Sequence, residues 1–161
     1  DQEYKTIFNR SYGGLSEKYC CDDAETVLVT VGSITGSVRE VVDEMRKDGY
    51  KVGVMKLRYL RPFPIENLLT LPESVKTLGV LDKNISYGYE GTVYTNVNSA
   101  LSREDRRIYT KDYIAGLGGR NISKENIRGI YMELLDQEKI AHGEKVSFVN
   151  MNLTQEVDGN E

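Results

Sequence analysis

Three loops hold the residues with the best claim to chemistry. In Gly32-Ser33-Ile34-Thr35-Gly36-Ser37, two glycines and three hydroxyls separate an apolar run from a helical one. Backbone N–H groups and the positive end of a helix dipole would then meet at Gly32, Ser33, Thr35 and Gly36, an arrangement suited to an anion such as phosphate. The spacing is neither G-x-G-x-x-G nor G-x-x-x-x-G-K-[ST], so both nucleotide fingerprints fail. The plainer role is a tight turn, with Thr35 or Ser37 capping the helix. In Arg61-Pro62-Phe63-Pro64 a stiffened backbone holds a guanidinium beside a ring. Arg61 suits a carboxylate or phosphate; structurally, it would bond backbone carbonyls or a neighbouring subunit while Phe63 plugs the core edge. In Gly116-Leu117-Gly118-Gly119-Arg120, the freedom of Gly116, Gly118 and Gly119 precedes the cation of Arg120. That pattern serves anion binding or tight packing against another domain. A fourth loop, Tyr87-Gly88-Tyr89-Glu90-Gly91, presents aromatics and reads as an interface.

Catalytic machinery is otherwise thin. The single histidine, His142, lies in a polar segment near the tail, so no Ser/His/Asp set or Cys/His pair can be assembled around it. Cys20 and Cys21 are adjacent, which suits neither a structural disulfide nor the separated pairs of a zinc or cluster site. No carboxylate pair stands out from the charged helix faces. No catalytic residue and no metal ligand is assigned, and on chemistry alone the chain reads as an accessory domain.

The elements that must position these loops follow from hydrophobic period. Val27–Val31 is apolar on both sides of the pleat, as an interior parallel strand requires. Val38, Val41, Val42 and Met45 then recur at i, i+3, i+4 and i+7, one helical stripe that Gly49 stops. Strands follow at Lys51–Leu57, Thr77–Asp82 and Arg107–Ile114. Helices are read from Pro64 through Leu69, over Val93–Leu101, and after a Ser123 cap through Leu134. Val146–Val149 offers one more short strand. Strand and helix alternate at least four times, so right-handed crossovers give a three-layer α/β/α domain with a mostly parallel sheet. Residues 1–24 are expected to be a lead-in segment packed on the domain, 25–150 the α/β domain, and 151–161 a polar tail. The 161 residues suffice for one core. A net charge of −4 and an isoelectric point near 5.2 give no electrostatic reason for nucleic acid or an anionic membrane as partner. No apolar run approaches the roughly 20 residues of a membrane span, so the expectation is a cytoplasmic protein. The chain begins without Met, which reads as a piece of a longer polypeptide whose partners include the rest.

Taken in order, several of these segments resemble a known family. Val31-Gly32-Ser33, Gly49-Tyr50-Lys51-Val52-Gly53-Val54, Leu57-Arg58-Tyr59-Leu60-Arg61-Pro62-Phe63-Pro64, Val80-Leu81-Asp82-Lys83-Asn84 and Gly116-Leu117-Gly118-Gly119-Arg120 are similar to the C-terminal domain of the alpha chain of 2-oxoacid:ferredoxin oxidoreductases. The Gly-Leu-Gly-Gly-Arg element tilts the likeness towards the pyruvate branch, pyruvate synthase. The resemblance implies a transketolase C-terminal-like sheet of about five strands. It also implies a parent enzyme that uses thiamine diphosphate and Mg to decarboxylate a 2-oxoacid oxidatively, passes electrons through iron–sulfur clusters to ferredoxin, and makes an acyl-CoA. This stretch would itself bind none of those cofactors. It would brace the preceding thiamine-binding domain of the alpha chain and contact beta, gamma and delta subunits. Two alternatives share the residue pattern: the C-terminal domain of a transketolase or 2-oxoacid dehydrogenase E1 beta chain, and a free-standing phosphate- or CoA-binding module using Gly32–Ser37.

Overall fold

The protein is described by a computed structural model of residues 2–151. The polar tail expected at 151–161 therefore lies, apart from Met151, outside the described residues.

Apolar, β-branched runs make the central strands: β2 (Thr26–Val31), β3 (Val52–Leu57), β4 (Thr77–Asp82) and β5 (Tyr109–Ala115). They pair in parallel, with Leu28 opposite both Val54 and Gly79, and Val80 opposite Asp112. A short sixth strand, β6 (Val146–Val149), extends the sheet in parallel beyond β5. Within the first two dozen residues, β1 (Ser16–Tyr19) runs antiparallel along β3. The sheet thus has six strands in the order β1-β3-β2-β4-β5-β6, one more than the five expected. The sequence Ser16-Glu17-Lys18-Tyr19 has no apolar alternation. It becomes a strand because β3 offers an open ladder, and its Glu17 and Lys18 are the charges that suit a sheet edge.

The described residues form six α-helices: α1 (Gln2–Phe8), α2 (Thr35–Lys47), α3 (Ile65–Leu69), α4 (Thr92–Leu101), α5 (Lys124–Leu134) and α6 (Gln137–His142), of which α2 to α6 bury side chains in the core and α1 buries none. On one face the α2 stripe of Val38, Val41, Val42 and Met45 packs with Ile127, Ile130, Tyr131 and Leu134 of α5 over Leu28 and Val54. On the other, Leu68 of α3 and Val93, Tyr94, Val97 and Ala100 of α4 cover Val27, Val29, Leu78 and Val80. α6 contributes one buried residue, Ile140, too little apolar pattern for a sequence reading to find it.

Helix placement sets the hand of each crossover. β2 to β3 and β3 to β4 step in opposite directions with helices on opposite faces, and β4 to β5 keeps the direction and face of its predecessor. These three crossovers share one hand. β5 to β6 continues in the same direction, yet its helix α5 lies on the opposite face, so that crossover has the opposite hand. The expectation of uniform right-handed crossovers therefore fails at the last one. β5 also begins two residues later than its sequence suggests. Arg106 turns aside to donate to the carbonyls of Leu71, Pro72 and Val75, and the first ladder contact is Tyr109 N–H to the Lys76 carbonyl at 2.9 Å.

Candidate functional site

The order of the parallel strands reverses at β2, with β3 on one side of it and β4 on the other. The chain leaves β2 towards one face and β4 towards the other, which opens a crevice at their carboxyl ends, the usual ligand position in an open α/β sheet. An open cleft of about 450 Å3 lies there, lined by Ser33, Ile34 and Ser37 after β2, Lys83 after β4, and residues 119–122 after β5.

Local geometry explains how the first wall forms. Gly32 has φ near +79°, a left-handed conformation that only glycine adopts without strain, and it turns the chain from β2 into a single 3-10 turn before α2. The expected helix cap is not made. Ile34 occupies the N-cap position with no side-chain bond, and the Thr35 hydroxyl points back into the turn. There it donates to the Gly32 carbonyl at 2.9 Å and pairs with the buried Thr30 hydroxyl at 2.9 Å. Thr35 is thus a staple beneath the cleft. The first turn of α2 carries no acidic residue, and Ser33 and Ser37 face the opening.

The opposite wall is the glycine turn. Gly116, Gly118 and Gly119 all have positive φ, which swings Arg120 to the rim. At Gly116 a Cβ would come within 3.2 Å of both the Ile122 side chain and Lys83 Cε, so the missing side chain leaves room for the Lys83 stem. Lys83 is the residue that sequence reasoning passed over as a site member. It follows β4 directly, and only the strand order places it between the two glycine-bearing loops. The cleft therefore combines two cations, two hydroxyls, the Asn121 amide and the start of a helix, with no carboxylate among its lining residues. It can hold an anion. Mg2+ binds through carboxylates and phosphates, so these residues do not fit a magnesium–diphosphate centre.

Arg61 and Phe63 are not part of this cleft. The Arg61 guanidinium donates to its neighbour's carbonyl at Leu60 (2.6 Å) and to Asn96 Oδ1 of α4 (3.1 Å), while Phe63 packs on the α3–α4 core. Tyr87 and Tyr89 stand exposed on their own loop.

Below the start of α4 lies a buried carboxylate pair. Asp82 accepts from the N–H groups of Tyr94 (3.0 Å) and Val93 (3.3 Å), and so caps α4. Asp112 accepts from Gly91 N–H at 2.7 Å. Burial raises both carboxyls, the Asp82 rise being offset in part by its two N–H donors. Asp112 is pushed up to about 7, by burial first and then, against the Gly91 bond, by the charges of Asp82 and Glu90.

Nucleophile and metal chemistry find little support elsewhere. The buried Cys21 thiol is pushed up to about 11 by burial, far from a reactive thiolate. His142 is exposed at the end of α6, 3.9 Å from Glu138. Among the described residues no group of three or more His, Cys, Asp or Glu could hold a metal ion.

Residues 24–127 match the family described as pyruvate:ferredoxin oxidoreductase core domain II. The chain belongs to this family. The matched stretch contains the whole of β2 to β5 together with the cleft loops, whereas α1 and β1 precede it and α6 and β6 follow it. Among curated relatives, the ketoisovalerate oxidoreductase subunit VorA of Pyrococcus abyssi is 44% identical over 129 residues, 80% of this chain and 33% of the relative. The pyruvate synthase subunit PorA of Methanothermobacter thermautotrophicus is 40% identical over 138 residues, 86% of this chain and 35% of the relative. The chain thus spans about a third of the length of the relatives it matches. In fold, this member of the family is similar to the 2-oxoglutarate:ferredoxin oxidoreductase of Magnetococcus marinus, with a TM-score of 0.60 at 22% identity over 84% of this chain and 21% of that one. A split-gene transketolase gives a TM-score of 0.59 at 15% identity over 78% of this chain and 44% of that one. The domain is therefore transketolase-like in architecture and belongs by sequence to the ferredoxin oxidoreductases.

Proposed function

We propose that this chain is the C-terminal structural and subunit-interface domain of the alpha chain of a thiamine-diphosphate-dependent 2-oxoacid:ferredoxin oxidoreductase, with pyruvate as the oxoacid. The parent enzyme decarboxylates the oxoacid oxidatively, transfers the acyl group to CoA and reduces ferredoxin in the cytoplasm. The observation that carries this reading is the match to core domain II, supported by pyruvate and ketoisovalerate relatives about three times longer than their matched segment. Thiamine diphosphate supplies the carbanion chemistry and iron–sulfur clusters the electron path, and both belong to the rest of the complex. A cluster takes about four thiolates, and this chain has two cysteines, adjacent in sequence with Cys21 buried. Its own residues brace: the six-stranded sheet sets the loop ends rigidly, and Arg61, Phe63 and the Gly116–Arg120 loop face neighbouring domains of the alpha, beta, gamma and delta components. The test is CoA-dependent reduction of a viologen dye. The assembled oxidoreductase turns over with pyruvate, and the chain alone does not. Dye reduction by the chain alone, or an assembled enzyme inert with every 2-oxoacid, would sink the reading.

The cleft favours a second, compatible role. Lys83, Arg120, Ser33 and Ser37 converge on one opening, which suits a phosphate-bearing ligand such as CoA. Calorimetric titration of the chain with CoA checks it: saturable heat that is lost in a Lys83→Glu/Arg120→Glu variant supports the role, and a flat titration removes it.

A further inference from the structure

α1 makes no sense as a free-standing element. It is seven residues long with none buried, and isolated helices shorter than about 12 residues are marginal in water. Its apolar side chains nevertheless face outward, Ile7 being 71% and Phe8 57% exposed. Tyr4 and Phe8, one helical turn apart, stack at 4.6 Å between ring centroids, and the Tyr12 ring lies 5.7 Å from Tyr4. Beside them Tyr59 leaves the carboxyl end of β3, and with Tyr4, Tyr12 and Leu15 it lines an open hollow of about 460 Å3 that has no charged side chain among its described lining residues. Five of the eight exposed large hydrophobics among the described residues, namely Tyr4, Ile7, Phe8, Tyr12 and Tyr59, belong to α1 and this neighbourhood. The other three, Tyr87, Tyr89 and Met132, lie elsewhere, and ion pairs such as Arg46–Asp23, Lys51–Glu25 and Arg128–Asp48 lace much of the remaining surface. Clustered aromatics around an uncharged hollow mark the centre of a protein–protein contact, because rings bury much area at little entropic cost.

We infer that the α1–Tyr59 aromatic face is where the remainder of the oxidoreductase subunit seats on this domain. The inference rests on the reading under Proposed function and deepens it by naming the surface. The occupant follows from length. The relatives carry about twice as much polypeptide outside the matched third as within it. That material must pack on domain II, and this is the only surface cluster among the described residues with both an apolar hollow and a helix lacking any core contact of its own. The seating domain presents apolar side chains to Tyr4 and Phe8 and backbone or amide polar groups to the tyrosine hydroxyls. Arg58 prepares the floor: its guanidinium donates to the Tyr12 carbonyl and binds Glu17 at 2.6 Å, and its backbone N–H donates to the Leu15 carbonyl at 2.9 Å.

Hydrogen–deuterium exchange on the subunit as its gene encodes it tests the inference. Amides of residues 2–8 are expected to exchange about 100-fold or more slowly than in a free peptide of the same sequence. A Tyr4→Asp/Phe8→Asp variant returns them to peptide rates while β2 and β4 keep their protection, which controls for misfolding. Peptide-rate exchange in the wild-type subunit overturns the inference. So does protection that persists in the variant, or protection lost on dilution, which assigns the face to a second copy. The two readings fail separately: oxoacid-dependent dye reduction with a bare α1 removes this surface and keeps the enzyme, whereas a protected α1 in an inert complex does the reverse.

Discussion

Asp112 is fully buried beneath α4, with one carboxyl oxygen on the Gly91 N–H and the other, Oδ1, without a partner among the described residues. A carboxyl normally releases its proton near 3.8, and here it holds it to about 7. Between those values the folded state binds more protons than the unfolded one, so this group makes stability fall as pH rises from about 4 to 7. Near neutrality the loss amounts to about 2–4 kcal/mol at 1.36 kcal/mol per unit. Asp112→Asn keeps an acceptor for Gly91 and abolishes the charge. Urea denaturation at several pH values is expected to show a flatter profile between pH 4 and 7 for this variant, and an unchanged slope would refute the assignment. Thr35 gives a second residue-scale prediction. Thr35→Val preserves shape but strands the Gly32 carbonyl and the Thr30 hydroxyl, so the urea midpoint should drop by an amount worth about 1–3 kcal/mol.

Two glycines show how elements are brought together. Gly79 lies mid-strand in β4, where a Cβ would sit 2.6 Å from the Leu134 side chain of α5 and 2.9 Å from that of Leu28. Gly79→Ala should therefore push α5 off the sheet and cost about 1–3 kcal/mol, read from the thermal midpoint. Gly91 precedes α4, and a Cβ there would lie 2.2 Å from Asp82 Oδ2. Gly91→Ala breaks the α4 cap and the Asp112 tie together, so its loss should exceed that of Asp82→Ala. The start of α5 is made differently. Ser123 and Asn126 form a reciprocal capping box, and Ser123→Ala should lower stability by about 1 kcal/mol. Here sequence reasoning succeeded because every partner of the cap lies within three residues. It failed at α2, where the Thr35 hydroxyl donates to the Gly32 carbonyl and pairs with the Thr30 hydroxyl in the folded turn, and accepts no bond from the helix N–H groups.

At the scale of the whole molecule, the strand order sets which loops meet. A rigid parallel sheet delivers its loop ends to one edge, and the loops there carry cations and glycines but no nucleophile–base pair. The cleft and the α1–Tyr59 face are distinct surfaces, one polar and one aromatic. Charge reversal at Lys83 and Arg120 should leave the thermal midpoint within about 2 °C of wild type, since both are exposed and carry no ion pair among those described.

The sequence by itself determined the alternation of strands and helices, the two-sided burial of β2, the α2 stripe and the Ser123 cap, because each depends on residues close along the chain, and the family, because its segments are read in order without knowing how they meet. Tertiary structure alone decided that β1 is a sixth strand, since a polar tetrad pairs only where an open edge awaits it. The reversed hand of the β5–β6 crossover was likewise invisible, because it depends on which face α5 chooses to bury its stripe. So was the meeting of Gly32–Ser37 with Gly116–Arg120 across Lys83. Loops about 80 residues apart become neighbours only when the strand order is set.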